Sequence, residues 1–136
     1  MGHKIKQSYN DLMTATKLMI VDDAPFIREV VRQIAEAKNI EVIGEAENGE
    51  EAVTMALKLK PDVILMDVVM PKKSGIEAAR EIKEKMPQIK IIACSTVDQD
   101  AMVMKAIESG CSDFVPKPFE KEQLLRAILK SDSKKT

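Results

Sequence analysis

Short apolar runs alternate along the chain with stretches in which apolar residues recur every three or four positions. The runs are Leu18-Met19-Ile20-Val21, Glu41-Val42-Ile43-Gly44, Val63-Ile64-Leu65-Met66, Ile89 to Cys94 and Phe114-Val115. Three of them are nearly continuous in apolar residues, the pattern of parallel strands covered on both faces. Between the runs lie five stripes at helical spacing. They are Ile27, Val30, Val31, Ile34 and Ala35; Ala52, Met55, Ala56 and Leu59; Ile76, Ala79, Ile82 and Met86; Val103, Ala106 and Ile107; and Leu124, Leu125, Ile128 and Leu129. Pro25 suits the first turn of a helix, Pro61 and Pro87 stop the second and third, and Gly110 sits where a left-handed cap would close the fourth. Regular strand–helix alternation predicts an α/β fold, a doubly wound (βα)5 domain over residues 16–130 with a parallel sheet between two layers of helices. Pro116 falls within the last run and lacks a ladder donor, which predicts an edge strand. Residues 1–15 are polar without a clear period and read as an arm, and 131–136 as a polar tail.

Composition narrows the class. Apolar residues make up 45% of the 136, enough for a core, and the 21 basic and 22 acidic side chains nearly cancel to a net charge of −1. A general nucleic-acid binder needs a clustered basic excess, so nucleic acid is not an expected partner. No apolar run approaches the roughly 18 residues of a membrane helix, and no signal-peptide core opens the chain. A cytoplasmic protein with no membrane insertion is the expectation. Cys94 and Cys111 form no CxxC and sit in or beside apolar stretches, so both are expected as reduced, buried thiols.

Candidate chemistry collects at one edge of the predicted sheet. In open α/β sheets, ligands bind beyond the carboxyl ends of the strands. The first strand ends in Asp22-Asp23, the third in Asp67, the fourth in Ser95-Thr96 and the fifth in Lys117-Pro118. Crowded carboxylates raise one another's pKa unless a cation lies among them, and a hard divalent ion such as Mg2+ with oxygen ligands meets that need. A carboxylate so placed can attack phosphorus in line and form an aspartyl phosphate. The ammonium of Lys117 and the hydroxyl of Ser95 would then meet the phosphoryl oxygens.

The strings Val21-Asp22-Asp23, Met66-Asp67-Val68-Val69-Met70-Pro71 with Gly75, Ile92-Ala93-Cys94-Ser95 and Phe114-Val115-Pro116-Lys117-Pro118-Phe119 resemble the receiver domains of two-component response regulators. The resemblance spans roughly residues 16–130 and is nearest to stand-alone, chemotaxis-type members. It implies a flavodoxin-like sheet of strand order 2-1-3-4-5. Asp67 then matches the phosphoacceptor. Asp22 and Asp23 match the acid pair that organises Mg2+, and the backbone carbonyl of Val69 matches a further ligand of that ion. Lys117 matches the phosphate-binding lysine, with its bond to Pro118 a candidate cis peptide. Ser95 matches the switch hydroxyl and Phe114 the aromatic that turns inward with it. Val69 and Thr96 occupy positions that modulate access of hydrolytic water. The implied partners are a histidine kinase as phosphodonor, with a flagellar motor switch protein or a phosphatase beyond it. The partner face would run from the fourth helix through the fifth, where Lys105, Glu108, Lys121 and Arg126 give mixed charge. A monomer is expected, a signalling protein rather than a turnover enzyme, whose only reactions are its own phosphorylation and dephosphorylation.

Each residue also has a plainer reading. Asp22 and Asp23 suit a helix N-terminus, Lys117 and Lys72-Lys73 suit solvent, and Phe114, Met102 and Met104 suit a core. A phosphorelay intermediate and a receiver cut from a larger regulator remain open. An Mg2+-dependent aspartyl-phosphate phosphatase fits less well, since such enzymes place a DxD on the first strand. A scaffold indifferent to phosphate leaves the acid triad, Ser95 and Lys117 without purpose. A dinucleotide site would need GxGxxG after the first strand.

Overall fold

Ten elements alternate along the chain: β1 (Thr16–Val21), α1 (Pro25–Glu36), β2 (Ile40–Ala46), α2 (Gly49–Leu59), β3 (Val63–Asp67), α3 (Gly75–Lys85), β4 (Lys90–Ser95), α4 (Asp100–Glu108), β5 (Asp113–Pro116) and α5 (Lys121–Leu129). The computed structural model describes residues 15–97 and 99–130. All but the last residue of the expected arm, and the whole expected tail, lie outside them. The strands form one parallel sheet in the order β2-β1-β3-β4-β5. Both the fold class and the strand order agree with the sequence reading.

The nearly continuous apolar runs are explained by burial on both faces. Met19, Val21, Ile64, Met66, Ile91 and Ala93 face one core, closed by Ala52 and Ala56 of α2, Ala78, Ala79 and Ile82 of α3, and Ala106 of α4. Leu18, Ile20, Val63, Leu65, Ile92 and Cys94 face the other, closed by Val31 and Ala35 of α1 and Leu124, Leu125 and Ile128 of α5. Successive strand residues thus serve opposite layers, as the pleat requires. Both cysteines are buried and free.

Helix ends follow their sequence punctuation. Pro25 opens α1, whose N-cap Ala24 offers no side-chain bond. Asn48 caps α2 by accepting from the N–H of Glu51 at 2.9 Å, and Ser74 and Glu77 form a capping box at α3. Lys60 takes the left-handed region at φ 52° before Pro61, and Gly110 has φ 109° after α4.

Two apolar stripes are less buried than their spacing predicts. On α4 only Ala106 is buried, while Ile107 is 45% and Met104 58% exposed. This helix meets the sheet chiefly at the short β5, so one small side chain seats it. Met104 therefore does not belong to the core as expected, whereas Met102 packs against it. On α5, Leu129 is 50% exposed.

β5 is the edge strand that Pro116 predicts. Lys117 donates its N–H inward to the Ser95 carbonyl at 2.9 Å, while the N–H of Phe114 is taken by the Asp113 carboxylate at 2.8 Å.

The segment between β3 and α3 is held by two close approaches. Gly75 donates its N–H to the Val68 carbonyl at 2.9 Å, and a Cβ there would lie 2.0 Å from the Asp67 carbonyl oxygen. Gly49 donates to the Lys73 carbonyl at 3.1 Å, and a Cβ there would lie 2.2 Å from that oxygen. No side chain fits at either point without moving backbone. In an ordinary helix position, Gly75→Ala would gain about 0.5–1 kcal/mol. Here overpacking against backbone outweighs that gain, and we expect a loss of about 2–3 kcal/mol in urea denaturation. A variant as stable as wild type would show that the loop yields freely.

Candidate functional site

Strand ends deliver five functional groups to the carboxyl edge of the sheet. Asp22 follows β1 and Asp67 ends β3, each after apolar residues that bury the approach, leaving Asp22 only 2% and Asp67 5% exposed. Asp23 is exposed beside them. The three acids each offer a carboxylate oxygen, and these oxygens lie within 4.8 Å of one another. Lys117, just past β5, brings its ammonium to 2.6 Å from Asp22 Oδ2 and 3.4 Å from Asp67 Oδ2.

Local bonding fixes each group differently. Asp22 donates its N–H to the Ala46 carbonyl at 3.0 Å, and its Oδ1 accepts from the N–H of Ala24 at 2.9 Å. Asp67 is held more lightly, its Oδ1 accepting from the N–H of Val69 at 3.3 Å. Ser95 is buried, and its hydroxyl accepts from the N–H of Val97 at 3.0 Å. The Lys117–Pro118 bond is cis, as the sequence suggested. Ser95 and Lys117 are joined through the backbone bond between their strands.

The remaining predicted residues occupy the surroundings. Val69 is 59% exposed at the mouth, two residues past Asp67, and Thr96 is exposed after β4. Phe114 lies upstream on β5, opposite Ala93 and half-buried against the core that includes Ala106 of α4. It does not join the acid cluster. By strand alternation Ser95 falls on the same sheet face as Phe114, whereas Asp67 falls on the opposite one.

Electrostatics single out Asp67. Burial pushes its carboxyl up from 3.8 to about 6; Lys117 opposes that rise and Asp22 adds to it. For Lys117, burial works against the charge, but the Asp22 hydrogen bond and the charge of Asp67 outweigh it and leave the pKa raised. The ammonium therefore stays charged, and one cation faces three carboxylates. Such a set of hard oxygens, two of them buried and converging, fits a divalent cation of the Mg2+ kind. The chemistry available is in-line attack by a carboxylate on phosphorus, with cationic groups to receive the phosphoryl oxygens.

Sequence spacing did not reveal the second tier of contacts. Arg28 donates to the Asp22 carbonyl and to Glu45, and Arg32 donates to the same Glu45. Asn48 is buried as a cap, and Gly49 and Gly75 clamp the loop beyond Asp67. A capping pattern at Asn48 and Glu51 was available in the sequence. No spacing rule marks Arg28 as a partner of Asp22.

Comparisons with known proteins agree with this geometry. The sequence model described as response regulator receiver domain matches residues 18–129. The chain is 44% identical over 115 residues to the chemotaxis protein CheY of Listeria monocytogenes, covering 85% of this chain and 97% of that protein. It is 45% identical over 114 residues to the CheY of Thermotoga maritima, covering 84% and 95% respectively. Among solved structures, CheY in the CheX–CheY–BeF3–Mg complex from Borrelia burgdorferi superposes with a TM-score of 0.81 at 27% identity, over 84% of this chain and 87% of that one. No helix among the described residues is long and apolar enough to cross a membrane.

The raised carboxyl of Asp67 has a stability consequence with a definite sign. An acid whose folded pKa lies above its unfolded value weakens the fold above the folded pKa, and the penalty fades as pH falls through about 6 toward 3.8. In metal-free buffer, Asp67→Asn should therefore stabilise the protein near pH 7.5 by on the order of 1–3 kcal/mol. Near pH 4 the gain should largely vanish. Urea denaturation at both pH values decides it, and equal stabilities near pH 7.5 would refute the assignment of strain to this charge.

Proposed function

The chain belongs to the response regulator receiver family, and we propose that it accepts a phosphoryl group from a histidine kinase on Asp67 and so switches which partners it binds. The observation that carries this reading is the Asp67 carboxylate, buried at the end of β3 with two further carboxylates and the Lys117 ammonium around it.

In this reading an Asp67 oxygen attacks phosphorus in line. The bond from phosphorus to the donor's imidazole nitrogen breaks and leaves its electron pair on that nitrogen. Asp22, Asp23, Asp67 and the Val69 carbonyl would hold Mg2+, which when bound supplies positive charge against the phosphoryl oxygens. Lys117 exchanges part of its bond to Asp22 for a phosphoryl oxygen. Ser95 turns its hydroxyl from Val97 toward the phosphoryl group, and Phe114 follows into the space released. Partners that favour one conformer are thereby gained or lost. The domain would act as a cytoplasmic monomer spanning residues 16–130, with residues 1–15 as an arm and 131–136 as a tail.

Similarity to proteins named CheY supports chemotaxis-type signalling. A flagellar motor switch protein, or a phosphatase, is then the expected partner. The Borrelia CheY, solved with CheX, is a precedent for the kind of complex such a receiver enters.

The decisive measurement is intact mass after incubation with Mg2+ and acetyl phosphate or phosphoramidate. Wild type should gain one phosphoryl group, stable in acid and labile in alkali, while Asp67→Asn gains none. Absence of the adduct from wild type would defeat the proposal. The lifetime of that adduct tests the modulating position. Exposed Val69 cannot orient a hydrolytic water by hydrogen bonding, so Val69→Asn should lose its phosphoryl group faster. Equal lifetimes would remove Val69 from that role.

A further inference from the structure

Arg28 stands where a helix least favours a cation. It lies near the start of α1, toward the positive end of the helix dipole, and the first turn carries no acidic residue to offset it. Yet the side chain is only 16% exposed and is held at two of its nitrogens. Its Nη1 donates to the main-chain carbonyl of Asp22 at 2.6 Å, and its Nε donates to Glu45 Oε1 at 2.9 Å. Glu45, on β2, also receives Arg32 from the next turn of α1. The hydrogen bond from Arg32 is the chief cause of a lowered Glu45 pKa, so the anchor stays ionised. The guanidinium therefore bridges a fixed carboxylate on β2 and the loop leaving β1.

The Asp22 carbonyl and the Asp23 N–H belong to one rigid peptide plane. Whatever fixes that carbonyl fixes the direction in which Asp23 leaves the chain. Asp22 has supports of its own, from Ala46, Ala24 and Lys117. The carboxylate of Asp23 has no hydrogen bond or ion pair among the described residues and is exposed, so the backbone is the one constraint on where its side chain projects.

We propose that Arg28 is a positioning residue that, braced by Glu45, sets the Asp23 carboxylate to receive the divalent cation. This inference rests on the cation-assisted reading of the site given above.

Arg28 affects a nearby cation in two opposing ways. Its charge repels the ion, but Glu45 and Arg32 form a compensated group with it. Removing Arg28 leaves Glu45 less compensated, so electrostatics alone would tighten Mg2+ binding. Losing the clamp frees Asp23 and loosens binding. Arg32 still pairs with Glu45 once Arg28 is removed, which limits that electrostatic gain. Loss of a partner behind a metal ligand typically weakens affinity about 10–100-fold. Geometry should prevail.

The test is Mg2+ titration of the metal-free full chain, followed by amide NMR shifts at fixed ionic strength and without any phosphodonor. Arg28→Met should bind Mg2+ about tenfold more weakly than wild type, with the Asp23 amide displaced before metal is added. Arg28→Lys should recover only part, because one ammonium cannot span both acceptors as a guanidinium does. Unchanged or tighter binding in Arg28→Met overturns the proposal, including the case in which its melting temperature alone falls. Should Arg28→Met fail to fold, Arg28→Lys decides: weaker binding supports positioning, and wild-type binding overturns it. A wild type that binds no Mg2+ removes the cation reading itself, an outcome distinct from a wild type that binds and an Arg28 variant that binds equally.

Discussion

Two carboxylates, Asp22 and Asp67, are forced out of water against a single ammonium, and most of the site is organised around that imbalance. Burying a charge is expensive unless it is paired and hydrogen-bonded. Lys117 satisfies Asp22 closely and Asp67 at longer range, so Asp67 keeps the larger share of the penalty and its carboxyl rises. With Asp23 included, three negative charges face one positive charge. The remainder of two is the charge of one divalent ion. A carboxylate held this way is both eager for neutralisation and free of strong hydrogen bonds, the two properties an oxygen nucleophile needs.

The sheet distributes this chemistry between two compartments. Asp67 and Lys117 belong to the side served by α1 and α5, while Ser95 and Phe114 belong to the side served by α2, α3 and α4. The edge of the sheet is where the two sides meet. In the proposed switch, Ser95 would answer an event at Asp67 and pass it to the opposite layer, where α4 is thinly seated on Ala106. A weakly packed element there is the one that a small local change can move.

Much of this was legible in the sequence, for physical reasons that apply unevenly. Asp67 stands out because four apolar strand residues precede it, and an acid buried there is costly without a purpose. Asp22 with Asp23, Ser95 and Lys117 become readable once strand ends are known to share one edge. Pro116 marked the edge strand and Gly110 the cap. Arg28 was not readable, because its meaning lies in Glu45, 17 residues away, and in a main-chain oxygen that carries no sequence identity. Gly75 could be seen but not interpreted, since its constraint is the Asp67 carbonyl rather than a dihedral angle. Periodicity overstated the core at Ile107 and Leu129 because spacing defines a face without saying what covers it.

The outer margin of β5 has a property that concerns other molecules. Alternation along the strand turns the nitrogens of Phe114 and Pro116 away from β4, toward the unpaired edge of the sheet. The first has its hydrogen taken by the Asp113 carboxylate, and the second has none to give. That rim offers acceptors but no donors, so an incoming extended segment finds only half of a ladder to zip onto. Recognition along this flank must then be written in side chains, and two copies of the chain meeting through their β5 edges find no full ladder to share.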